Sequence, residues 1–134
     1  MRLSPSRPRN NRTRTERLGA EIFGRRGEAL AAWYLRLKGY RIVEQRVKSP
    51  VGEIDLVARR FGTTVFVEVK ARKTPGELGL ALEAVNTRRI ARAAQHYVGR
   101  HPGLAAAPLR FDVIFLAPWA WPRHVKGAFD ASQE

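Results

Sequence analysis

Residues 52–70, GEIDLVARRFGTTVFVEVK, are the most informative segment for predicting the fold. It contains two runs in which charged residues alternate with Val, Ile and Phe. This pattern predicts strands at 53–58 and 64–71. The linker at 59–63 is too short for a crossover connection, so it predicts an antiparallel hairpin.

The acidic residues of the two predicted strands fall on one face. Side chains in a strand alternate between the faces of a sheet, so Glu53 and Asp55 point the same way. A hairpin that turns symmetrically about residues 61–62 places Asp55 opposite Glu68. The same register places Glu53 opposite Lys70. Directly opposed residues have Cβ atoms about 4.5–5.5 Å apart, so Asp55 and Glu68 could hold one cation between them.

Carboxylates in this arrangement suit a hard divalent cation, Mg²⁺ or Mn²⁺, which binds one or two carboxylates together with water and phosphate oxygens. We expect Asp55 and Glu68 to be metal ligands, with the backbone carbonyl of Val69 as a neutral ligand. The metal would polarise a phosphate and lower the pKa of a bound water. Lys70 would orient that water or stabilise charge on the phosphate. Glu28, on a predicted helix, would bind the metal through water or hold a second one.

The same pattern has a purely structural interpretation, because charged residues alternate with apolar ones in any half-exposed antiparallel strand. Two observations favour the metal site. Three acids share the proposed face with only Lys70 and Arg72 to balance them, which is repulsive without a cation. The acids are also concentrated here, in a chain whose 25 Lys and Arg outnumber its 12 Asp and Glu.

Composition narrows the class of protein. The chain has 134 residues and a formal net charge of +13, which fits one domain and favours nucleic acid as a polyanionic partner. It has no cysteine, so a disulfide framework and a thiolate metal site are excluded, and we expect a cytoplasmic location. The sequence contains neither a run of 18 apolar residues nor an apolar segment typical of a secretory signal. We therefore expect no membrane partner.

The rest of the chain predicts a mixed α/β protein. Residues 1–17 carry six arginines and one acid, so we predict a disordered basic arm ahead of a single domain at 18–131. Apolar periodicity predicts the remaining elements of that domain. They are a helix at 18–38, a strand at 41–45, a helix from Asn86, an internal strand at 109–116 and a short helical turn near 127–131. The order helix-strand-strand-strand-helix-strand predicts a mixed sheet flanked by helices.

Four segments together resemble the YraN-like proteins, a widespread bacterial family. The segments are 27–29, 35–40, 52–57 and 65–72, within a match that extends over 24–129. The YraN-like proteins are assigned to the PD-(D/E)XK nuclease superfamily, which implies a restriction-endonuclease-like fold. The resemblance also implies four catalytic residues, namely Asp55, Glu68, Lys70 and Glu28. The layout is similar to that of archaeal-type Holliday-junction resolvases, which implies branched or structured DNA as a substrate.

Cations that adjoin the proposed site are candidate nucleic-acid contacts, because such side chains position a phosphate backbone. They are Arg72, Lys73, Arg88 and Arg92. The three histidines, at 96, 101 and 124, lack metal-ligand spacing, so we expect ordinary surface residues.

Three further residues have a structural and a functional interpretation. Trp119 and Trp121 could stack on unpaired bases. A proline-flanked pair near the C-terminus is nevertheless expected to pack over an edge of the core. Asp112 is expected to pair with Arg110 or with a neighbouring strand.

The function that these observations favour is metal-dependent cleavage of DNA phosphodiester bonds by an endonuclease. One alternative is a non-catalytic nucleic-acid-binding module that keeps the nuclease fold. Another is a basic protein that associates with the ribosome or with a membrane. Symmetric cutting of two DNA strands would require a homodimer.

Overall fold

The computed structural model describes residues 14–71 and 86–129, which form a five-stranded mixed sheet with a helix on each face. The elements in chain order are α1 (Arg14–Leu37), β1 (Arg41–Ser49), β2 (Gly52–Arg60), β3 (Thr63–Ala71), α2 (Thr87–Arg100), a 3₁₀ turn (Pro102–Leu104), β4 (Leu109–Leu116) and β5 (Arg123–Phe129). The spatial order of the strands follows the chain. All neighbours are antiparallel except β3 and β4, which are parallel. This α/β architecture confirms the predicted class and is consistent with a restriction-endonuclease-like core.

Two apolar layers hold the helices against the sheet. The layer under α1 joins Ala31 and Leu35 to strand residues that include Leu56, Val67 and Ile114. The layer under α2 joins other side chains to the opposite face, namely Ile90, Ala93, Ala94, Tyr97, Phe66, Phe111, Val113 and Phe115. Because both faces of the central strands are covered, most of their buried positions are apolar in succession, as expected for strands inside an α/β sheet. Thr64 and Asp112 are the buried polar exceptions among the described residues.

The β2–β3 hairpin closes through a two-residue turn. Phe61 has φ 50° and Gly62 has φ 81°, the positive values that a type I′ turn requires at both central positions. Arg60 therefore pairs with Thr63, and the ladder continues regularly to the pair of Leu56 with Val67. The predicted register is confirmed over these pairs.

The chain departs from the predicted elements at three places. Helix α1 begins at Arg14, earlier than predicted, and the rest of the predicted arm, residues 1–13, lies outside the described residues. Strand β1 is longer than predicted, since it continues to Ser49 and pairs with β2 there, with a register shift between Ile42 and Glu44. The predicted helical turn near 127–131 is wrong, since β5 pairs with β4 up to Phe129. The Phe129 ring stacks on Phe111 at 4.9 Å, a contact between strands that local propensity does not reveal.

Strand β5 also completes a buried polar network. Asp112 is fully buried and accepts two hydrogen bonds of 2.8 Å from the Arg110 guanidinium, so the predicted pairing with Arg110 is confirmed. His124 Nε2 lies 2.7 Å from Asp112, and the Gly127 N–H donates to it at 3.0 Å. The prediction that His124 is a surface residue is wrong, because the side chain is only 2% exposed. Burial opposes ionisation of Asp112, but the bonds from His124, Arg110 and Gly127 outweigh it and lower its pKa to about 2.

The loop between β4 and β5 holds both C-terminal tryptophans in solvent. Trp119 is 104% exposed and Trp121 is 87% exposed. The prediction that this pair packs over the edge of the core is wrong. The flanking prolines shape the loop instead of directing the indoles inward, since they fix backbone φ without constraining where a neighbouring side chain packs.

Replacing Asp112 by asparagine is expected to lower the free energy of unfolding at pH 7 by about 3–5 kcal/mol, because Arg110 and His124 would keep their places around a lost charge. The folded pKa lies below the unfolded one, so this stability is present above the unfolded value of 3.8 and is lost as pH falls toward about 2. Urea denaturation of Asp112→Asn at pH 7 and pH 3 measures both effects. Glu44→Gln, an exposed carboxylate whose amide can still accept from Tyr97, is the matched control. An equal loss in both variants would contradict the assignment.

Candidate metal centre

The acidic side chains of the hairpin line one pocket of about 290 Å³, which lies where β2 begins and β3 ends. Strands β2 and β3 and the start of α2 supply its lining residues, which are Glu53, Asp55, Glu68, Lys70, Asn86, Arg89 and Ile90. Helix α2 begins beside the pocket with an N-cap, in which the Asn86 side chain accepts a hydrogen bond from the Arg89 N–H at 3.1 Å. Ile90 and Ala93 hold the helix against the sheet through the apolar layer. The three elements therefore hold their polar groups against a common space.

Asp55 is held by the backbone of the neighbouring strand. The ladder between β2 and β3 reaches the pair of Leu56 with Val67, and just beyond it the Val69 N–H donates to Asp55 Oδ2 at 2.8 Å. A side-chain carboxylate thus takes the place of a backbone acceptor. This bond fixes one oxygen of Asp55 and leaves lone pairs on the carboxylate for another ligand.

Three carboxylates form a compact cluster. Glu28 from α1 and Glu53 from β2 each bring an oxygen to Asp55, and the three oxygens lie within 4.8 Å of one another. The structure brings Glu28 to Asp55, as the sequence predicted, and adds Glu53, which was absent from the predicted ligand set. Glu53 lies two residues before Asp55 on the same strand, so strand alternation was the signal that could have included it.

Glu68 and Lys70 lie on the β3 side of the pocket. The hairpin register, extended by one pair, places Glu68 opposite Asp55. Lys70 Nζ lies 3.7 Å from Glu68 Oε1. The predicted pairing of Glu53 with Lys70 lies beyond the last ladder pair of β2 with β3 and stays a prediction, although both residues line the pocket. On the other side of β2, Glu53 is registered against Lys48 of β1.

Negative charge in this cluster exceeds what the protein compensates. Burial, and next the charge of Asp55, raise the pKa of Glu68 to about 7. Burial also raises the pKa of Asp55, although the bond from Val69 opposes the shift. The pKa of Glu28 is raised by burial and then by Asp55. Three carboxyl groups that resist ionisation together mark a place where added positive charge would be stabilising.

The donor set fits a hard divalent cation. All the clustered side chains offer carboxylate oxygens, the ligands that Mg²⁺ and Mn²⁺ prefer. Glu28 Oε1 is buried and has no hydrogen-bond donor among the described residues. A buried acceptor of this kind is rare unless it serves a ligand or an ion.

One protein cation already approaches the cluster. Arg46 Nε, from β1, lies 3.3 Å from Glu28 Oε1, at ion-pair distance but without hydrogen-bond geometry. Its backbone is in the left-handed region, at φ 55°, where a non-glycine residue is uncommon. Arg46 was not among the predicted site residues, because nothing in a strand pattern indicates such a backbone conformation.

The four predicted nucleic-acid contacts divide into two groups, and Arg89, which was not among them, lies between the first two. Arg88 and Arg92 are exposed on α2, outside the lining of the pocket. Arg89, between them, enters the pocket, where its Cγ would lie 3.2 Å from a Cβ added at Gly52. Arg72 and Lys73 lie outside the described residues. Helical periodicity from the Asn86 N-cap places Arg89 on a different side of α2 from Arg88 and Arg92. Only the packing of α2 shows which side lies against the pocket.

Comparisons with known proteins agree on one family. A model of the uncharacterised protein family UPF0102 matches residues 27–116, which include every acidic residue of the cluster. A UPF0102 protein of Parvibaculum lavamentivorans is 50% identical over 115 residues, 84% of each chain. A UPF0102 protein of Bartonella tribocorum is 44% identical over 110 residues, 82% of this chain and 85% of that one. One of Chelativorans is 49% identical over 108 residues, 81% of this chain and 87% of that one. Among the described helices, none is both long enough and apolar enough to cross a membrane.

Replacing Glu68 by glutamine is expected to stabilise the metal-free protein at pH 8 by about 1–3 kcal/mol and to have little effect at pH 4.5. The folded pKa, about 7, lies above the unfolded value of 4.5, so the stability due to Glu68 is complete below pH 4.5 and is lost as pH rises through 7. A glutamine amide can donate a hydrogen bond as a protonated carboxyl does, and it cannot ionise.

Urea denaturation of Glu68→Gln in EDTA at the two pH values measures this difference, with Glu44→Gln as the control for an exposed carboxylate. A stability difference from the wild type that is the same at both pH values would contradict the charge repulsion inferred for the pocket.

Proposed function

We infer that this chain, which belongs to the uncharacterised protein family UPF0102, is a metal-dependent nuclease that hydrolyses DNA phosphodiester bonds. That family is the YraN-like group of PD-(D/E)XK nuclease-like proteins, as the residues of the β2–β3 hairpin indicated. The family description names no activity, so the proposal rests on the geometry and charge of the site.

The observation that carries the proposal is the clustering of carboxylates in a cationic chain. Oxygens of Glu28, Glu53 and Asp55 lie within 4.8 Å of one another, and Glu68 lines the same pocket as Glu53 and Asp55. The chain as a whole carries a formal charge of +13. A basic surface attracts a polyanion, whereas a bare acidic pocket repels a phosphate. The two properties are compatible at one place if a divalent cation joins the pocket to the phosphate.

The residues suited to hold that cation are Asp55, Glu28, Glu53 and Glu68, with the backbone of Val69 beside them. When bound, such an ion supplies Lewis-acid polarisation of a phosphate. Asp55 is preorganised for this role by the 2.8 Å bond from the Val69 N–H. The pKa values of these carboxyl groups are raised, and a carboxyl group must be ionised to bind a metal. Metal binding would therefore release protons.

Lys70 is the cation best placed to act on the reacting phosphate. Its Nζ is held 3.7 Å from Glu68 inside the pocket, and the side chain is mostly shielded from solvent. A partly buried ammonium group in the pocket can donate hydrogen bonds to a phosphate oxygen or to an attacking water. We assign to Lys70 the stabilisation of charge that develops during hydrolysis.

The start of α2 offers an approach for the phosphate backbone. Asn86 and Arg89 line the pocket, so the positive end of the helix dipole faces the acidic cluster. Arg88 and Arg92 extend this basic surface along the exposed side of the helix. We propose that Arg89 contacts phosphates next to the cleaved bond and that Arg88 and Arg92 contact phosphates farther along the backbone.

A non-catalytic nucleic-acid-binding module is the second candidate, and the position of Arg46 favours it. Its guanidinium lies 3.3 Å from Glu28 and neutralises part of the cluster without a metal. In that case the carboxylates would be a structural remnant, and the basic residues of α2 would be the functional part. Metal binding and cleavage distinguish the two candidates.

The full-length protein is expected to bind Mn²⁺, and Asp55→Asn is expected to weaken binding by at least about tenfold, since asparagine keeps one oxygen but lacks the negative charge that attracts the ion. Isothermal titration at pH 8 measures the affinity, and Glu44→Gln is the control for a carboxylate outside the site. Equal Mn²⁺ affinity in the wild type and in Asp55→Asn would place the ion elsewhere.

With Mg²⁺ or Mn²⁺, the wild type is expected to cleave linear, single-stranded or branched DNA, with the preferred substrate found by direct comparison. Asp55→Asn and Lys70→Ala are expected to reduce the rate by about 100-fold or more, because each removes electrostatic stabilisation of the reacting phosphate. Gel analysis of end-labelled substrates measures the rate, and Lys126→Ala, an exposed lysine on β5, is the matched control. If the wild type binds DNA but gives no product with either metal, the non-catalytic module is the correct assignment.

A further inference from the structure

The loop at 117–122, between β4 and β5, presents two large aromatic side chains to solvent. Trp119 and Trp121 are 104% and 87% exposed, and neither is needed for the two apolar layers of the core. Two neighbouring, fully exposed tryptophans are uncommon on a protein surface and mark an interaction site.

The loop holds Trp119 in a specific and unfavourable backbone conformation. The Ala120 N–H donates to the Ala117 carbonyl at 3.4 Å, Pro118 occupies the second turn position, and Trp119 follows with φ 62°. These are the features of a type II turn, in which glycine normally fills the third position. A tryptophan there carries backbone strain, and strain of this kind is concentrated at functional sites. Pro118 and Pro122 stiffen the loop on both sides of the indoles.

The loop leaves the sheet at the same end of the strands as the carboxylate pocket. Strands β3 and β4 are parallel, and Leu116 at the end of β4 pairs with Ala71, the residue after Lys70. Trp119 follows Leu116 by three residues, which span at most about 11 Å of extended chain. The loop and the proposed catalytic lysine therefore lie at the same ends of two neighbouring parallel strands.

The surroundings of the loop are cationic. Arg26 of α1 and Pro118 line a common groove of about 290 Å³, and Arg26 is exposed. Arg123, also exposed, follows Pro122 directly at the start of β5. Aromatic faces beside guanidinium groups match a ligand that carries flat rings on a chain of negative charges.

We propose that Trp119 and Trp121 form a stacking platform for unpaired bases of DNA, with Arg26 and Arg123 contacting the adjoining phosphates. The ligand class rests on the proposed function, since it takes nucleic acid to be the substrate. The platform would direct the protein to DNA in which single-stranded nucleotides lie close to the cleaved bond. It would also give the pocket a preference that the carboxylates cannot provide, because phosphates carry no information on whether the bases are paired.

Binding in EDTA tests this platform without cleavage. A labelled oligothymidine of about twelve nucleotides, within the range of sites on single-stranded DNA, is compared by fluorescence anisotropy with a duplex of the same length. The double variant Trp119→Ala/Trp121→Ala is expected to lose about five- to hundredfold in affinity for the single strand, and to keep its affinity for the duplex. Trp33→Ala, a partly exposed tryptophan on α1, is the matched control, and Trp119→Phe/Trp121→Phe is expected to retain most of the affinity because it keeps the rings.

Three results would overturn the inference. The first is unchanged single-strand affinity in the double alanine variant whose far-UV dichroism and thermal midpoint match the wild type. The second is an equal loss on single strand and duplex. The third is a dependence on both tryptophans for binding to anionic phosphatidylserine vesicles but not to the oligonucleotide, which would make the loop a membrane contact.

The experiment separates this inference from the nuclease proposal. If the tryptophans are required for single-strand binding and the wild type cleaves nothing with Mg²⁺ or Mn²⁺, the platform stands and the nuclease assignment fails. If the wild type cleaves DNA and the alanine pair changes neither binding nor the choice between single strand and duplex, the nuclease assignment stands and the platform fails.

Discussion

The register of the β2–β3 hairpin is the constraint on which the site depends. The two-residue turn at Phe61 and Gly62 leaves one way to pair the strands, and that pairing sets Asp55 beside Glu68. A slip of one residue would move every side chain of a strand to the opposite face, so the acids would enter an apolar layer. The apolar residues between the acids enforce the same register, because Phe66 must lie under α2 while Leu56 and Val67 lie under α1. The packing of the core and the geometry of the site thus both follow from this one strand register.

The protein treats its buried acids in two opposite ways. Asp112 is surrounded by Arg110, His124 and the Gly127 N–H, and its pKa is lowered to about 2. At the pocket, burial and mutual repulsion raise the pKa of Glu68 to about 7. The first arrangement stabilises the packing of β4 and β5. The second is destabilising in the absence of a cation, which is the kind of local cost that proteins keep where a ligand is bound.

Sequence reasoning worked where neighbours along the chain carry the information. The hairpin, its register, the Asn86 cap and the Asp112–Arg110 pair all depend on residues close in sequence. It failed where distant segments meet. Strand β5 exists because β4 offers it a partner edge, and only that pairing buries His124. Arg46 reaches Glu28 from a residue with left-handed backbone angles, which no sequence periodicity indicates. The two tryptophans are exposed, although the prolines beside them suggested packing against the core.

The fold class and the acidic character of the site could both be read from residues 52–70. In this segment apolar and charged residues alternate, which indicates two strands and the face on which the acids lie. Tertiary structure alone decided which acids converge. Glu28 reaches Asp55 because α1 packs across the sheet, and Glu53 joins them at the point where the regular ladder ends. It also decided that Arg89, of the three neighbouring arginines at the start of α2, enters the pocket. Such convergence depends on contacts between elements far apart in the chain, and no local pattern encodes those distances.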